Sequence, residues 1–365
     1  MIVTQKLRIY PNKAQQEHLN KMFGGARFVY NKSIEAFKNR QGQLYYLDLV
    51  HEFPWLKETP AQVLQHSIRD FIKAKSRHFD NHVGWMKFKS KKKKQSIMTC
   101  SPSKNMLLTN TFKFPHIGKI KKDSQKYRYF GKLKAIRITK CLSGKYFASL
   151  YIETTQKPLE ANDKTLGIDL GIKIFITDSN GNKIEKPKFE TFFQDKIRKL
   201  QRKLSKCKVG GKNRIKIKRK LAKIHEKIVN KRNDFLHKLS YKLIRDNQLI
   251  VVENLNIMKM KQKGKSDLIK RITDASWHKF IKFLQYKAEW YGRNFISVDP
   301  KNTSKTCSYC GYINENLQLK DRKWKCPNCR ILLDRDINAA INILNRGCHG
   351  DSLLNISNLC NENCK

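Results

Sequence analysis

The sequence predicts an α+β protein of two units. Three observations carry that expectation. Residues 2–10 and 105–153 alternate apolar and polar side chains as strands do, and a basic helical stretch interrupts them. Residues 161–185 and 248–256 hold short continuous apolar runs, the pattern of buried strands, with long helical patterns between and after them. Two CxxC pairs near the C-terminal end mark a small inserted module.

In the first unit, Ile2, Val3, Leu7 and Ile9 alternate with Lys6 and Arg8 until Pro11-Asn12 breaks the strand. Helices are expected at about 13–23 and 26–38. A third should open at Thr59-Pro60, a good N-cap followed by the residue best suited to a first helical position. Val63, Leu64, Ile68, Phe71 and Ile72 give that helix one apolar stripe, while Arg69, Lys73, Lys75 and Arg77 line its other face. Residues 132–141 and 145–153 read as a hairpin around Ser143-Gly144. Residues 1–160 are therefore a small β domain with a basic helical insert at about 11–104. Its basic face suits nucleic acid, and would equally suit plain solvation of a generic α+β domain.

The second unit is expected over 161–365. Asn180-Gly181 is a strong short hairpin signal. Helices fill about 188–247, broken near Gly210-Gly211. Ile197, Leu200 and Leu204 form one stripe, and Leu221, Ile224, Ile228, Phe235, Leu239 and Leu243 another. Both read as packing seams rather than cofactor sites. A buried strand QLIVVENLN, a helix with Trp277, Phe280, Ile281 and Leu284, a strand NFISVD and a last helix at 336–346 follow. In that last helix Ile337, Ala340, Ile341 and Leu344 are expected to face the core.

Composition narrows the function. The 365 residues hold 77 Lys+Arg and 30 Asp+Glu, a net +47. Self-repulsion of that size opposes compaction unless a polyanion offsets it. A hydrophobic fraction of 39% and 10% aromatics exclude a disordered polycation. What remains is a folded nucleic-acid protein, with a membrane-surface protein as the weaker alternative. No apolar run approaches the ~18–20 residues that span a bilayer, and MIVTQKLRIYPNKAQQ has no signal-peptide core. The expected location is the cytoplasm, nucleoid-associated in a prokaryote, where the ten cysteines should be free thiols or metal ligands.

Three acids occupy special positions. Asp169 ends a buried run inside Gly167-Ile168-Asp169-Leu170-Gly171, Glu253 ends the Leu249–Val252 run, and Asp336 opens the last helix. A carboxylate there must be solvated, paired or metal-bound, because burying it alone is costly. Strand ends are also where sites gather. Three converging carboxylates would need a divalent cation. Phosphodiester hydrolysis with two ions about 4 Å apart has that requirement, and Mg²⁺ or Mn²⁺ suits all-oxygen ligands. With 30 acids, chance placement is the competing explanation, and Asp336 or Asp334 could simply cap the helix.

Cys307-x2-Cys310 and Cys326-x2-Cys329, 15 residues apart, have zinc-ribbon spacing. Four thiolates leave no open coordination position, so the zinc should be structural. Gly311 and Pro327 suit the turns, and Tyr312, Leu319 and Trp324 should give the ribbon its apolar face. Lys305, Lys320, Arg322, Lys323 and Lys325 surround it and could touch nucleic acid. Cys100, Cys141, Cys207, Cys348, Cys360 and Cys364 show no ligand spacing. A second metal site from Cys348, His349, Cys360 and Cys364 fits no standard finger, and a poorly ordered tail at 347–365 explains that segment better.

With these residues in view, the chain resembles the transposon-encoded TnpB (OrfB) proteins, compact relatives of the type V CRISPR effectors. KLRIYPNKAQQEHLNKMFGGARFVYN, GWMKFKSKKK, GIDLGI, VVENLN, TSKTCSYCG, KCPNC and LDRDINAAINIL carry the resemblance in order and spacing, over nearly the whole chain. The resemblance implies an N-terminal wedge-type β-barrel with a helical recognition insert. An RNase-H-like (RuvC) α/β nuclease domain with an inserted zinc ribbon (303–332) would follow. Asp169, Glu253 and Asp336 match the family's catalytic, magnesium-binding acids, and Cys307, Cys310, Cys326 and Cys329 its zinc ligands. Leu333 departs from the family pattern, since relatives often carry a histidine there; no catalytic position is affected. The implied activity is RNA-guided, metal-dependent cleavage of double-stranded target DNA beside a short motif. The guide RNA would come from the element's own locus, and no membrane is involved. The +47 fits a protein that holds RNA and a heteroduplex by their backbones and leaves sequence reading to base pairing. Tyr30, Trp55 and Trp85 could stack on bases or serve structure. Two alternatives remain: a DNA transposase acting directly on element ends, and a non-cleaving RNA-guided repressor.

Overall fold

The computed structural model describes residues 1–81, 84–100, 110–124, 127–129, 131–155, 157–187, 189–256, 260, 269, 272–273, 275–318 and 320–349. The sequence expectations for Leu319, Cys360, Cys364 and most of the 347–365 tail lie outside them. Two compact units form: Met1–Thr155 with Arg198–Glu226, and Gln156–Ile197 with Lys227–Lys365.

In the first unit β1 (Ile2–Tyr10) buries Val3, Gln5, Leu7 and Ile9, exposes Thr4 and Lys6, and leaves Arg8 half-buried. The chain then enters α1 (Lys13–Lys38). Asn12 caps it reciprocally, its Oδ1 accepting from Gln15 N (2.9 Å) while Gln15 Oε1 accepts from Asn12 N (3.0 Å). The sequence predicts two helices over 13–38, but one continuous helix forms. Gly25 is not a break; a Cβ there would lie 2.5 Å from Thr59 Oγ1, so the glycine lets the following segment pack against α1. After α2 (Tyr46–Glu52) and a 3-10 turn (Pro54–Glu58) comes α3 (Ala61–Asn81). Val63, Leu64, Ile68 and Phe71 are buried as expected, whereas Ile72 is 39% exposed.

Six strands make an antiparallel sheet in the order β2-β5-β6-β1-β4-β3. The new strands are β2 (Gln95–Cys100), β3 (Thr111–Phe114), β4 (Gly118–Lys122), β5 (Lys132–Lys140) and β6 (Tyr146–Glu153). β5 and β6 form the predicted hairpin, and Gly144 adopts the positive φ (83°) that its turn requires.

The second unit holds a five-stranded sheet in the order β11-β10-β7-β8-β9. β7 is Thr165–Leu170, β8 Ile174–Asp178, β9 Lys183–Glu185, β10 Leu249–Glu253 and β11 Asn294–Val298. β10 runs parallel to both β7 and β11, while β8 is antiparallel to β7 and β9. At the predicted Asn180-Gly181 turn, Gly181 has φ 84° and the Asp178 carboxylate accepts from the Asn180 and Asn182 backbone N–H groups. All five residues of β10 are buried, which explains its unbroken apolar run. Ile250 and Val252 join a core with Leu236, Leu239, Leu243 and Ile244, and with Phe280 and Leu284. These come from α5 (Lys212–Asp246) and α6 (Trp277–Tyr291). Leu249 and Val251 point the other way, onto Ile343 and Leu344 of α7 (Arg335–His349).

Glycine sets the approach of α7. A Cβ on Gly167 of β7 would lie 2.2 Å from Ala340 O, and one on Gly347 of α7 2.5 Å from Val251 Cγ2. The buried face of α7 is Ala339, Ala340, Ile343 and Leu344; Ile337 and Ile341, expected in the core, are only half-buried. The predicted Ile197, Leu200 and Leu204 stripe on α4 (Phe189–Ser205) is also half-buried, while Ile224, Ile228, Leu239 and Leu243 of α5 are core residues. Cys348 of α7 is buried against the Leu249, Val251, Ile343 and Leu344 cluster. No helix among the described residues is long and apolar enough to cross a membrane.

Candidate functional site

Asp169 and Glu253 sit at the C-terminal ends of neighbouring parallel strands. Ile168 of β7 pairs with Val252 of β10, so the next residue on each strand is a carboxylate at the same level. Asp336 lies in the first turn of α7, the helix that Gly167 admits close to β7. The structure thus brings the three acids into one electrostatic neighbourhood. Burial, then the charges of Glu253 and Asp336, push the Asp169 carboxyl up to about 8. Arg335 and the Leu170 N–H offset part of that shift. Burial also raises Glu253, against the lowering effect of a Thr303 hydrogen bond and the Arg346 charge.

The competing role, helix capping, falls to Asp334. Its Oδ1 accepts from Asp336 N (3.1 Å) and Ile337 N (3.2 Å), and its Oδ2 from Lys183 Nζ (2.7 Å). Asp336 is thereby left out of the cap, and its Oδ1 accepts from Arg322 Nη1 at 3.2 Å.

Sequence reasoning missed the residues that hold this arrangement. Thr303 is buried and its Oγ1 donates to Glu253 Oε1 (2.5 Å). Asn342 Nδ2 donates to Thr303 O (2.8 Å) and Thr306 O (2.6 Å), and Asn338 Nδ2 to Thr306 O (2.7 Å). Asn338 Oδ1 accepts from Ser308 N (2.8 Å). So α7 fixes the segment leading into the cysteine module, and that segment fixes Glu253. The available signal was two buried asparagines four residues apart on an otherwise apolar helix face.

The four cysteines meet as their spacing predicts. Sγ atoms of Cys307, Cys310, Cys326 and Cys329 all lie within 4.8 Å of one another. Cys310–Cys326 and Cys307–Cys329 are separated by 3.6 and 3.7 Å. A tetrahedron with Zn–S bonds of about 2.3 Å has edges of about 3.8 Å, so the cluster fits zinc. The Tyr312 backbone N–H draws the Cys310 thiol down to about 6. Leu317 and Trp324 are buried against the sulfurs, with Leu333 packed beside them. Tyr312, expected on that apolar face, is 43% exposed. β12 (Lys323–Lys325) and β13 (Leu332–Asp334) pair antiparallel to close the module.

Comparison with known proteins places the chain. A Streptomyces pristinaespiralis protein named "Putative RNA-guided DNA endonuclease" is 33% identical over 362 residues, covering 94% of this chain and 88% of that protein. The chain belongs to the TnpB (OrfB) family. An Escherichia coli K12 protein, "Putative RNA-guided DNA endonuclease InsQ", is 27% identical over 94% of this chain and 91% of its own length. Three family models match: an OrfB "Helix-turn-helix domain" at 1–42, an OrfB "Probable transposase" at 149–264 and a "Cas12f1-like, TNB domain" at 277–343. The fold is similar to that in the cryo-EM structure of the Cas12f1-sgRNA-target DNA complex. That likeness has a TM-score of 0.58 at 15% identity and covers 95% of this chain and 99% of that one.

Proposed function

We propose that this TnpB-family chain is an RNA-guided, metal-dependent DNA endonuclease encoded by a transposable element, cutting target DNA next to a short motif. Asp169, Glu253 and Asp336 are its catalytic acids, on an RNase-H-like (RuvC) nuclease domain. The observation that carries this reading is the placement of Asp169 and Glu253 at the same level on neighbouring parallel strands with Asp336 in the first turn of α7, close enough that burial and the two other acids push the Asp169 carboxyl up. Such a cluster is unfavourable without a cation and well suited to one. The donor set is all oxygen and anionic, so Mg²⁺ or Mn²⁺ fits it. When bound there, divalent ions would supply an activated water and charge stabilisation at the leaving oxygen.

The chain's own residues do the positioning. Thr303 orients Glu253, and Arg322 pairs with Asp336. The strand order and the parallel pairing of β10 with β7 and β11 support the RNase-H-like reading. The antiparallel six-stranded sheet with its helical insert suits a wedge-type barrel that grips guide RNA from the element's own locus. Cys307, Cys310, Cys326 and Cys329 would hold a structural zinc. The cytoplasm, at the nucleoid, is the expected place of action. The names of the near full-length relatives support RNA guidance over a transposase acting directly on element ends.

The test is to purify the protein with its native locus, sequence the bound RNA, and assay cutting of a matched DNA target with Mg²⁺. Cutting that requires both RNA and metal is the expected result. Cutting without RNA would favour the transposase, and RNA-bound inactivity the repressor.

A further inference from the structure

The helical insert contains an aromatic groove that the acid site does not use. Phe37 of α1, Phe71, Ile72 and Lys75 of α3, and Trp85 line a cavity of about 680 Å³, within the ~300–1,000 Å³ typical of ligand sites. Trp85 stacks on Phe37 with ring centroids 6.0 Å apart and planes 28° apart, and Phe79 meets Phe37 edge-on at 6.2 Å. Yet the cluster is not a closed core. Trp85 is 44% exposed and Phe79 54%. Lys75 Nζ lies 4.6 Å over the Phe37 ring, and Lys38 and Arg40 also line the cavity, with no acidic residue among the lining side chains.

Arg40 provides a separate observation. α1 closes with Gln41 N donating to Ala36 O (2.9 Å) and Arg40 N to Phe37 O (3.3 Å). In that closing motif the residue at Arg40 takes the left-handed conformation, normally left to glycine, and Arg40 does so at φ 56°. A guanidinium is thus kept at the groove in a backbone conformation that disfavours any side chain.

Exposed rings with a cationic rim are the elements that hold an unstacked base and its phosphates. Gln41 and Gln43 add carboxamides, each both donor and acceptor, beside the rings. A ribose 2′-hydroxyl, itself donor and acceptor, can use both functions; a deoxyribose offers neither. We propose that this groove binds an unpaired base of single-stranded RNA, stacked on Trp85, which Phe37 backs, with its phosphates at Lys38, Arg40 and Lys75. The proposal rests on the RNA-binding half of the reading above and not on the nuclease.

The experiment measures fluorescence anisotropy of a labelled 12-nucleotide single-stranded RNA, and of the same strand made abasic, with full-length protein freed of RNA. Wild type should bind the base-bearing strand about 5- to 150-fold more tightly. Trp85→Ala should erase most of that preference and leave abasic binding unchanged, because the phosphate contacts remain. Trp85→Phe, which keeps a ring, should retain the preference and shows that the fold tolerates change there. Equal weakening on both strands, or no weakening, overturns the groove assignment. The same Trp85-dependent preference on DNA of identical sequence overturns the choice of RNA. Wild type that binds neither strand would overturn the RNA-binding reading as well, whereas tight binding indifferent to Trp85 overturns the groove alone.

Discussion

Replacing Asp169 with Asn should stabilise the metal-free protein at neutral pH while abolishing cleavage. The Asp169 carboxyl is pushed up to about 8 in the folded chain, against about 3.9 when unfolded. The folded state therefore holds this proton more tightly. The penalty is absent below about pH 4, grows as pH rises, and is complete above about pH 8. At pH 7 roughly three pH units separate the solution from the unfolded pKa, which sets an upper bound of about 4 kcal/mol. Residual solvent access and relaxation around the site reduce it, and about 2 kcal/mol is expected. Asn keeps the shape and cannot ionise, so the variant escapes the penalty. Urea denaturation with a chelator present, compared at pH 4.5 and pH 8, measures the difference. It should be small at the lower pH, widen toward the higher one, and narrow when Mg²⁺ is added, because the cation stabilises only the wild-type cluster. Two stability profiles that stay parallel across this range would refute the reasoning.

Other expectations follow from the same packing and bonds. Gly167→Ala puts a methyl 2.2 Å from Ala340 O; α7 must move, costing about 1–3 kcal/mol or more and displacing Asp336, so both the urea midpoint and cleavage should fall. Gly84→Ala, whose Cβ meets nothing within 4 Å, is the control and should stay within about 0.5 kcal/mol of wild type. Thr303→Val removes the hydrogen bond that lowers Glu253; the acidic limb of the cleavage pH–rate profile should move to higher pH, and Thr303→Ser should restore it. Cys307→Ser should reduce bound zinc, measured by mass spectrometry, from one per chain to well below one, with loss of thermal stability.

Much of this architecture was legible because it rests on local rules. The alternation of residues 2–10, the Ser143-Gly144 and Asn180-Gly181 turns, the buried run of β10 and the CxxC spacing each depend on neighbours in sequence. The errors came where a distant contact decides. Helices at about 13–23 and 26–38 were expected as separate elements, yet one helix runs through, and Gly25 inside it leaves the space that Thr59 needs. Ile72 belongs to an apolar stripe, but it opens into the aromatic groove rather than the core. The stripe on α7 was read out of phase because Gly167 and Gly347, not the isoleucines, set the contact face. For the site, the positions of Asp169, Glu253 and Asp336 were readable from strand ends and a helix start. Which of Asp334 and Asp336 caps the helix was not, since it depends on which carboxylate the backbone N–H groups and Lys183 take up. Thr303 was invisible for the same reason: its partner is 50 residues away.

The central claim is that Asp169, Glu253 and Asp336 form a metal-dependent nuclease site in an otherwise cationic protein. The most direct test is Glu253→Gln, assayed in parallel for RNA binding, binding of a matched DNA target, and Mg²⁺-dependent cleavage of that target. The account predicts near-wild-type binding to both nucleic acids with cleavage abolished. Full cleavage by the Glu253→Gln variant would contradict it.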